Sequence, residues 1–137
     1  MRIRPARREE IDALLALWRA AGSSPAVNEN VEGVTALFDR DELSLLVAEQ
    51  DGQLVGSLVA AWDGWRGSLY RLAVLPDHRR RGIARALVRE GERRLAALGC
   101  RRIALVALSD SEDAVAFWAA AGYEADERIT RFVKTLG

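Results

Sequence analysis

Leu72-Ala73-Val74-Leu75-Pro76-Asp77-His78-Arg79-Arg80-Arg81-Gly82-Ile83-Ala84 decides how this chain is read. An apolar strand runs into Pro76, which cannot donate to a sheet ladder. A short loop of arginines follows, and a helix opens at Gly82 and Ile83. Downstream of that opening, Ile83, Leu87, Val88, Gly91, Leu95 and Leu98 form one apolar stripe, with Arg85, Arg89, Glu92 and Arg93 opposite. The first N–H groups of a helix have no intrahelical partners and sit at the positive end of its dipole, so they make a ready anion site. Gly82 and the small Ala84 let a phosphate approach the backbone, and Arg79, Arg80 and Arg81 supply charge on the rim. Alone, three arginines in a loop read as a solvated turn. Placed between an apolar strand and a glycine-opened helix, they have the mechanics of phosphate binding. The stretch is not a Walker loop, since no Gly-Lys-Ser/Thr follows, and it lacks the three-glycine dinucleotide fingerprint.

Working outward, the pattern predicts a strand over 68–75, the helix over 82–98 closed by Gly99, and an apolar run over 102–108 that reads as a buried strand. A strand, helix, strand crossover makes those two strands parallel. Upstream, runs at 43–49 and 53–62 flank Asp51-Gly52, a hairpin signal, and 63–67 is a second turn. A strand at 2–4 stops at Pro5. A helix over 8–21 follows, with Ile11, Leu14, Leu15, Trp18 and Ala21 at helical spacing. After the loop Ser23-Ser24-Pro25, Val31, Val34, Leu37 and Phe38 suggest a shorter helix. At the other end a helix over 111–121 stops at Gly122, and 123–127 with 131–136 read as a final hairpin. The expectation is one α/β domain over 1–137, with a mixed, mostly antiparallel sheet of six or seven strands and about four helices. No repeat or domain linker is visible.

At 137 residues, 50% hydrophobic and 29% charged, the composition is that of an ordinary globular domain. Twenty basic residues balance twenty acidic ones, so no global field gathers nucleic acid or anionic membrane, and any anion site must be local. Lys134 is the only lysine, so anion contacts would be the planar, multidentate contacts of arginine. Cys100, the only cysteine, excludes an internal disulfide and a thiolate metal cluster, and no metal is expected. The first residues hold no apolar signal core, and nothing approaches the ~20 apolar residues of a membrane span. A soluble, cytoplasmic protein is expected, binding neither nucleic acid nor membrane.

Arg79-Arg80-Arg81-Gly82-Ile83-Ala84 after Leu72-Ala73-Val74 resembles the acetyl-CoA motif of the GNAT acetyltransferases, Gln/Arg-x-x-Gly-x-Gly/Ala. The order of elements agrees over essentially the whole chain, and 63–84 is similar to bacterial YpeA-type members. The resemblance implies an acetyl-CoA-dependent N-acetyltransferase acting on an amine of a small molecule, amino acid or protein by direct attack in a ternary complex. It implies that the loop amides of Arg79, Arg80, Arg81, Gly82, Ile83 and Ala84 hold the diphosphate. The exposed backbone of Leu72, Ala73 and Val74 would pair with the pantetheine arm like an added strand, and the Val74 amide would polarise the thioester carbonyl. Such a donor favours the state in which negative charge grows on that oxygen, and holding both substrates in one cleft adds proximity. Homodimers would be unsurprising.

The chain departs from the family at the Asn-x-x-Ala-x-x-x-Tyr signature of the last long helix. Ser111 stands at the asparagine and Trp118 at the tyrosine, with Gly122-Tyr123 kept. Indole gives no proton at neutral pH, so Trp118 reads as a wall on the pantetheine or thioester end, or as core filling. Ser111 is carried with it as a cofactor contact. A glutamate base of some relatives falls at Val106. An alkyl amine with a pKa near ~10.4 is almost wholly protonated at pH 7, so the base matters more than the acid. Tyr70 is the preferred acid or relay, with core packing its alternative; Asp63, Ser109 and Asp110 are further candidates. His78 reads as a solvated histidine and Cys100 as structural. The acceptor pocket would lie between the first two helices and the 63–67 turn, with Trp18, Trp62 and Trp65 as possible walls and Glu29, Glu32 and Asp63 as possible attractors of a cation. Without the family's tyrosine and glutamate, a non-catalytic acyl-CoA-binding module is the competing reading.

Overall fold

A computed structural model describes residues 1–23, 26–107 and 110–137. Contacts divide the chain into two compact units, Met1–Leu105 and Val106–Gly137. The first unit holds a five-stranded sheet in the order β1-β2-β3-β4-β5. Its strands are β1 (Arg2–Pro5), β2 (Leu45–Gln50), β3 (Gln53–Trp62), β4 (Gly67–Val74) and β5 (Ile103–Leu105). The first four pair antiparallel, and β5 joins β4 in parallel as the crossover requires.

Helix α1 (Ile11–Ala20) follows a short 3-10 turn at Arg8–Glu10, and α2 (Val31–Arg40) is capped by Asn30, whose Oδ1 accepts from Gly33 N at 2.8 Å. Both helices pack on one face of the sheet, where Leu14, Leu17, Trp18, Val34 and Phe38 meet Leu45, Val47, Val59 and Ala73. Helix α3 (Ile83–Ala97) covers the other face. A Cβ at Gly91 would lie 2.9 Å from a Leu58 methyl and 3.3 Å from a Leu69 methyl, so glycine lets α3 sit close against β3 and β4.

The second unit contains α4 (Glu112–Ala120), capped by the Ser111 hydroxyl, which accepts from Ala114 N at 3.3 Å. The expected sixth and seventh strands do not form: 123–127 and 131–136 carry no ladder. Asp126 makes a turn of its own instead, accepting from Arg128 N on Oδ1 (3.1 Å) and from Ile129 N on its carbonyl (3.2 Å). A strand whose one large apolar residue is Tyr123 has little burial to set against the entropy of ordering it. Strand β5 is also shorter than expected, stopping at Leu105; Leu108 lies outside the described residues.

Candidate active site

The site begins with an irregularity in β4. Ser57 pairs with Ala73 and Val59 with Tyr70, so Arg71 and Leu72 together oppose the single Leu58 and form a β-bulge. Arg71 sits at φ 55°, a left-handed conformation that costs a non-glycine residue about 1–3 kcal/mol unless its surroundings enforce it. Those surroundings are specific. The Ser57 hydroxyl donates to the Arg71 carbonyl at 2.9 Å and accepts from Trp18 Nε1 at 2.8 Å. The Arg71 guanidinium lies 5.7 Å from the Trp18 ring centroid and 3.4 Å from the Glu29 carboxylate.

Strand β5 pairs only with Gly67, Ser68 and Leu69. Beyond them, among the described residues, no strand covers that edge of β4. Leu75 N donates to Val55 O of β3 at 2.9 Å, and alternation therefore turns the N–H and C=O of Val74 to the uncovered edge. Ala73 faces the other way, paired with Ser57 and buried in the core, so Val74 rather than Ala73 turns its N–H to a ligand lying along this edge, its carbonyl accepting from Arg79.

A 3-10 turn at Pro76–His78 then carries the chain to α3. Gly82 precedes the helix at φ 81°, and the helical ladder starts only with Ala86 N on the Gly82 carbonyl at 3.0 Å. The amides of Ile83 and Ala84 thus have no intrahelical acceptor, and Gly82 has no side chain to cap them. Among the described residues, a Cβ on Gly82 would meet nothing within 4 Å. The three arginines differ. Arg80 and Arg81 are exposed at the loop, Arg80 at φ 63°. Arg79 turns back, its Nε donating to Val74 O at 3.2 Å and its Nη2 to Ala21 O at the end of α1 at 2.9 Å. His78 is half-buried rather than solvated, and its buried Nδ1 has no hydrogen-bond partner.

A cavity of about 290 Å³ opens on the α2 side of the sheet, lined by Leu37, Asp41, Trp62, Asp63, Arg66 and Tyr70 among others. Tyr70 reaches it because it pairs with Val59, whose side chain faces the helices α1 and α2. Partial burial raises the Tyr70 pKa, so the phenol keeps its proton at neutral pH. Asp63 Oδ1 accepts from Arg66 N (2.6 Å) and Trp65 N (2.7 Å), and these bonds hold its carboxyl below the ordinary aspartate range. It is a turn-former and a poor base.

Of the three tryptophans expected as walls of the acceptor pocket, Trp62 lines the cavity, Trp18 is core at 4% exposure, and Trp65 stands exposed with the Arg66 guanidinium 4.4 Å from its ring centroid. Glu29 pairs with Arg71, while Glu32 is exposed in the first turn of α2. In the second unit Trp118 makes edge contacts to Phe117 (5.1 Å) and Tyr123 (5.2 Å). The Cys100 thiol reaches the Arg102 carbonyl at 3.3 Å. Asp110 is exposed, and Ser109 lies outside the described residues. Ser57 and Arg71 went unread as site residues, although a lone serine inside the apolar run of β3 was a visible signal.

A strand edge left open beside a glycine-opened helix is a fit for a diphosphate with an extended arm. The sequence model of the Acetyltransferase (GNAT) family matches residues 11–123. The chain belongs to the GNAT acetyltransferase family. An acetyltransferase of Pectobacterium atrosepticum is 35% identical over 130 residues, covering 95% of this chain and 92% of the relative. One of Sodalis glossinidius is 32% identical over 136 residues, covering 99% and 96%. Among solved structures, the aminoglycoside 6'-N-acetyltransferase AAC(6')-Ih of Acinetobacter baumannii is 26% identical with a TM-score of 0.76, covering 99% of each chain. AAC(6')-Ig of Acinetobacter haemolyticus is 25% identical with a TM-score of 0.80, covering all of both chains. AAC(6')-Iy, solved with CoA, shares the fold at a TM-score of 0.79 and 23% identity, over 98% of this chain and 95% of its own. This GNAT acetyltransferase is therefore an acyltransferase. Among its described residues no helix is long and apolar enough to cross a membrane.

Proposed function

We propose that this acetyltransferase takes acetyl-CoA along the uncovered edge of β4, diphosphate on the N-terminus of α3, and acetylates a primary amine of a small molecule, amino acid or protein. The observation that carries the reading is the continuity of two donor sets: the unpartnered amides of Ile83 and Ala84, and the Val74 peptide facing the open edge. Arg80 and Arg81 add charge at the loop. The family match runs across both compact units, which favours one functional domain.

The amine attacks directly, with both substrates bound. It must first lose a proton, and Asp63, held below the ordinary range, is a weak base for that step. Such a weak base favours acceptors that arrive already neutral, or that lose the proton to solvent. As the amine nitrogen bonds to the carbonyl carbon, the Val74 amide donates to the oxygen on which negative charge grows. The Tyr70 hydroxyl then works as a relay: it takes the proton the nitrogen must shed and passes its own to the departing sulfur. No net charge has to reside on the phenol.

The test is a screen of amine acceptors with acetyl-CoA, reading free thiol above the hydrolysis background. Thiol release that depends on one class of amine supports the reading. Saturable acetyl-CoA binding without release to any amine would mark a non-catalytic acyl-CoA-binding module instead.

A further inference from the structure

The bulge in β4 is held from outside its own strand. Arg71 has a side chain that disfavours φ 55°, and no glycine or asparagine stands there to relax it. What fixes its peptide is Ser57, at 0% exposure on the neighbouring strand, whose hydroxyl donates to the Arg71 carbonyl. The Ser57 hydroxyl has a single proton, so its direction depends on what it accepts. Trp18 on α1, itself buried, supplies that donor through Nε1 at 2.8 Å and leaves the hydroxyl proton for Arg71. The indole also lies near the Arg71 guanidinium, so one residue of α1 meets the bulge at both its carbonyl tether and its side chain. The chain Trp18 to Ser57 to Arg71 is directional, buried at Trp18 and Ser57 and partly buried at Arg71, and spans α1, β3 and β4.

We propose that Ser57 is a positioning residue: by holding the Arg71 carbonyl it maintains the bulge that turns the Val74 amide to the uncovered edge, at the thioester. The inference rests on the reading of Val74 as donor to that carbonyl. Ser57 touches neither substrate. Its effect passes through the backbone conformation of Arg71, and that route makes a specific rescue possible. Glycine adopts positive φ without the Cβ penalty, so Arg71→Gly should keep the bulge when the tether is gone.

The experiment uses the full chain, labelled with ¹⁵N, and two probes, acetyl-CoA and free CoA. They differ only in the acetyl group, so a donor to the thioester carbonyl shows a different amide shift with each. The wild-type Val74 amide is expected to distinguish them. Ser57→Ala should still bind both but lose the Val74 difference, and Ser57→Ala with Arg71→Gly should regain it. Ser57→Cys, which fills the same space with a weak donor, should lose the difference in the same way and serves if the alanine variant does not fold. A Val74 difference that survives in these single variants, or a loss that glycine at position 71 does not repair, overturns the proposal alone. A wild-type Val74 amide that responds identically to both probes overturns the Val74 reading, and this proposal with it.

Discussion

The two ends of the site are built from different materials. The end assigned to the diphosphate is backbone: amides of Ile83 and Ala84 freed by helix geometry, approached over Gly82. The end assigned to the acceptor is side chains gathered from α2, the segment after it, and the β3–β4 hairpin, with Tyr70 at the edge of the bulge. Backbone chemistry is common to every member of a fold and tolerates much sequence change, provided the glycine stays. Side-chain chemistry drifts. A chain can therefore keep a backbone anion site while its side chains at Trp118 and Val106 depart from the pattern the resemblance implies.

That contrast can be broken in order of expected size. Gly82→Glu sets a carboxylate at the anion site and forces a side chain onto φ 81°; acetyl-CoA affinity by calorimetry should fall about 100-fold or more, since like charges in contact cost several kcal/mol. Tyr70→Phe should leave that affinity alone and lower kcat on the order of 100-fold, the lower range for a lost proton donor. Because burial raises the Tyr70 pKa, the group is protonated through neutral pH, and its contribution should be lost only as pH rises above about 10. Trp118→Phe should cost less than about 10-fold in rate; a loss of 100-fold or more would give the indole a chemical role. The smallest effect belongs to Asp63→Asn, whose amide oxygen can accept the same two turn N–H groups. At pH 7, where the carboxylate is fully ionised, its melting temperature should fall only slightly below wild type. The folded Asp63 pKa is lowered, so the carboxylate's stabilisation is present above the unfolded value near ~3.9 and lost as pH falls through the folded one. Any difference between the two proteins should therefore follow the ionised carboxylate and vanish in stronger acid.

The same division decided what could be read from the sequence. The strands β1 to β4 and the four helices follow local periodicity and caps, and the glycine that opens α3 is legible within a few residues of the arginine loop. The strand count came out lower because pairing is not local: Asp126 closes its own turn, and the segments beside it find no ladder. Arg79 shows why the remainder was hidden. Read as rim charge, it instead braces the Val74 and Ala21 carbonyls, and Ala21 is 58 positions away. The bulge was hidden because arginine carries no signal for positive φ; only the polar Ser57 within an apolar strand hinted at the tether.

The central claim is that the unpaired amides at the start of α3 grip the diphosphate. The direct measurement is an amide-resolved titration of the ¹⁵N-labelled protein with acetyl-CoA. The Ile83 and Ala84 amides should move strongly downfield, together and saturably with the ligand. Saturable binding that leaves both resonances in place would contradict the account.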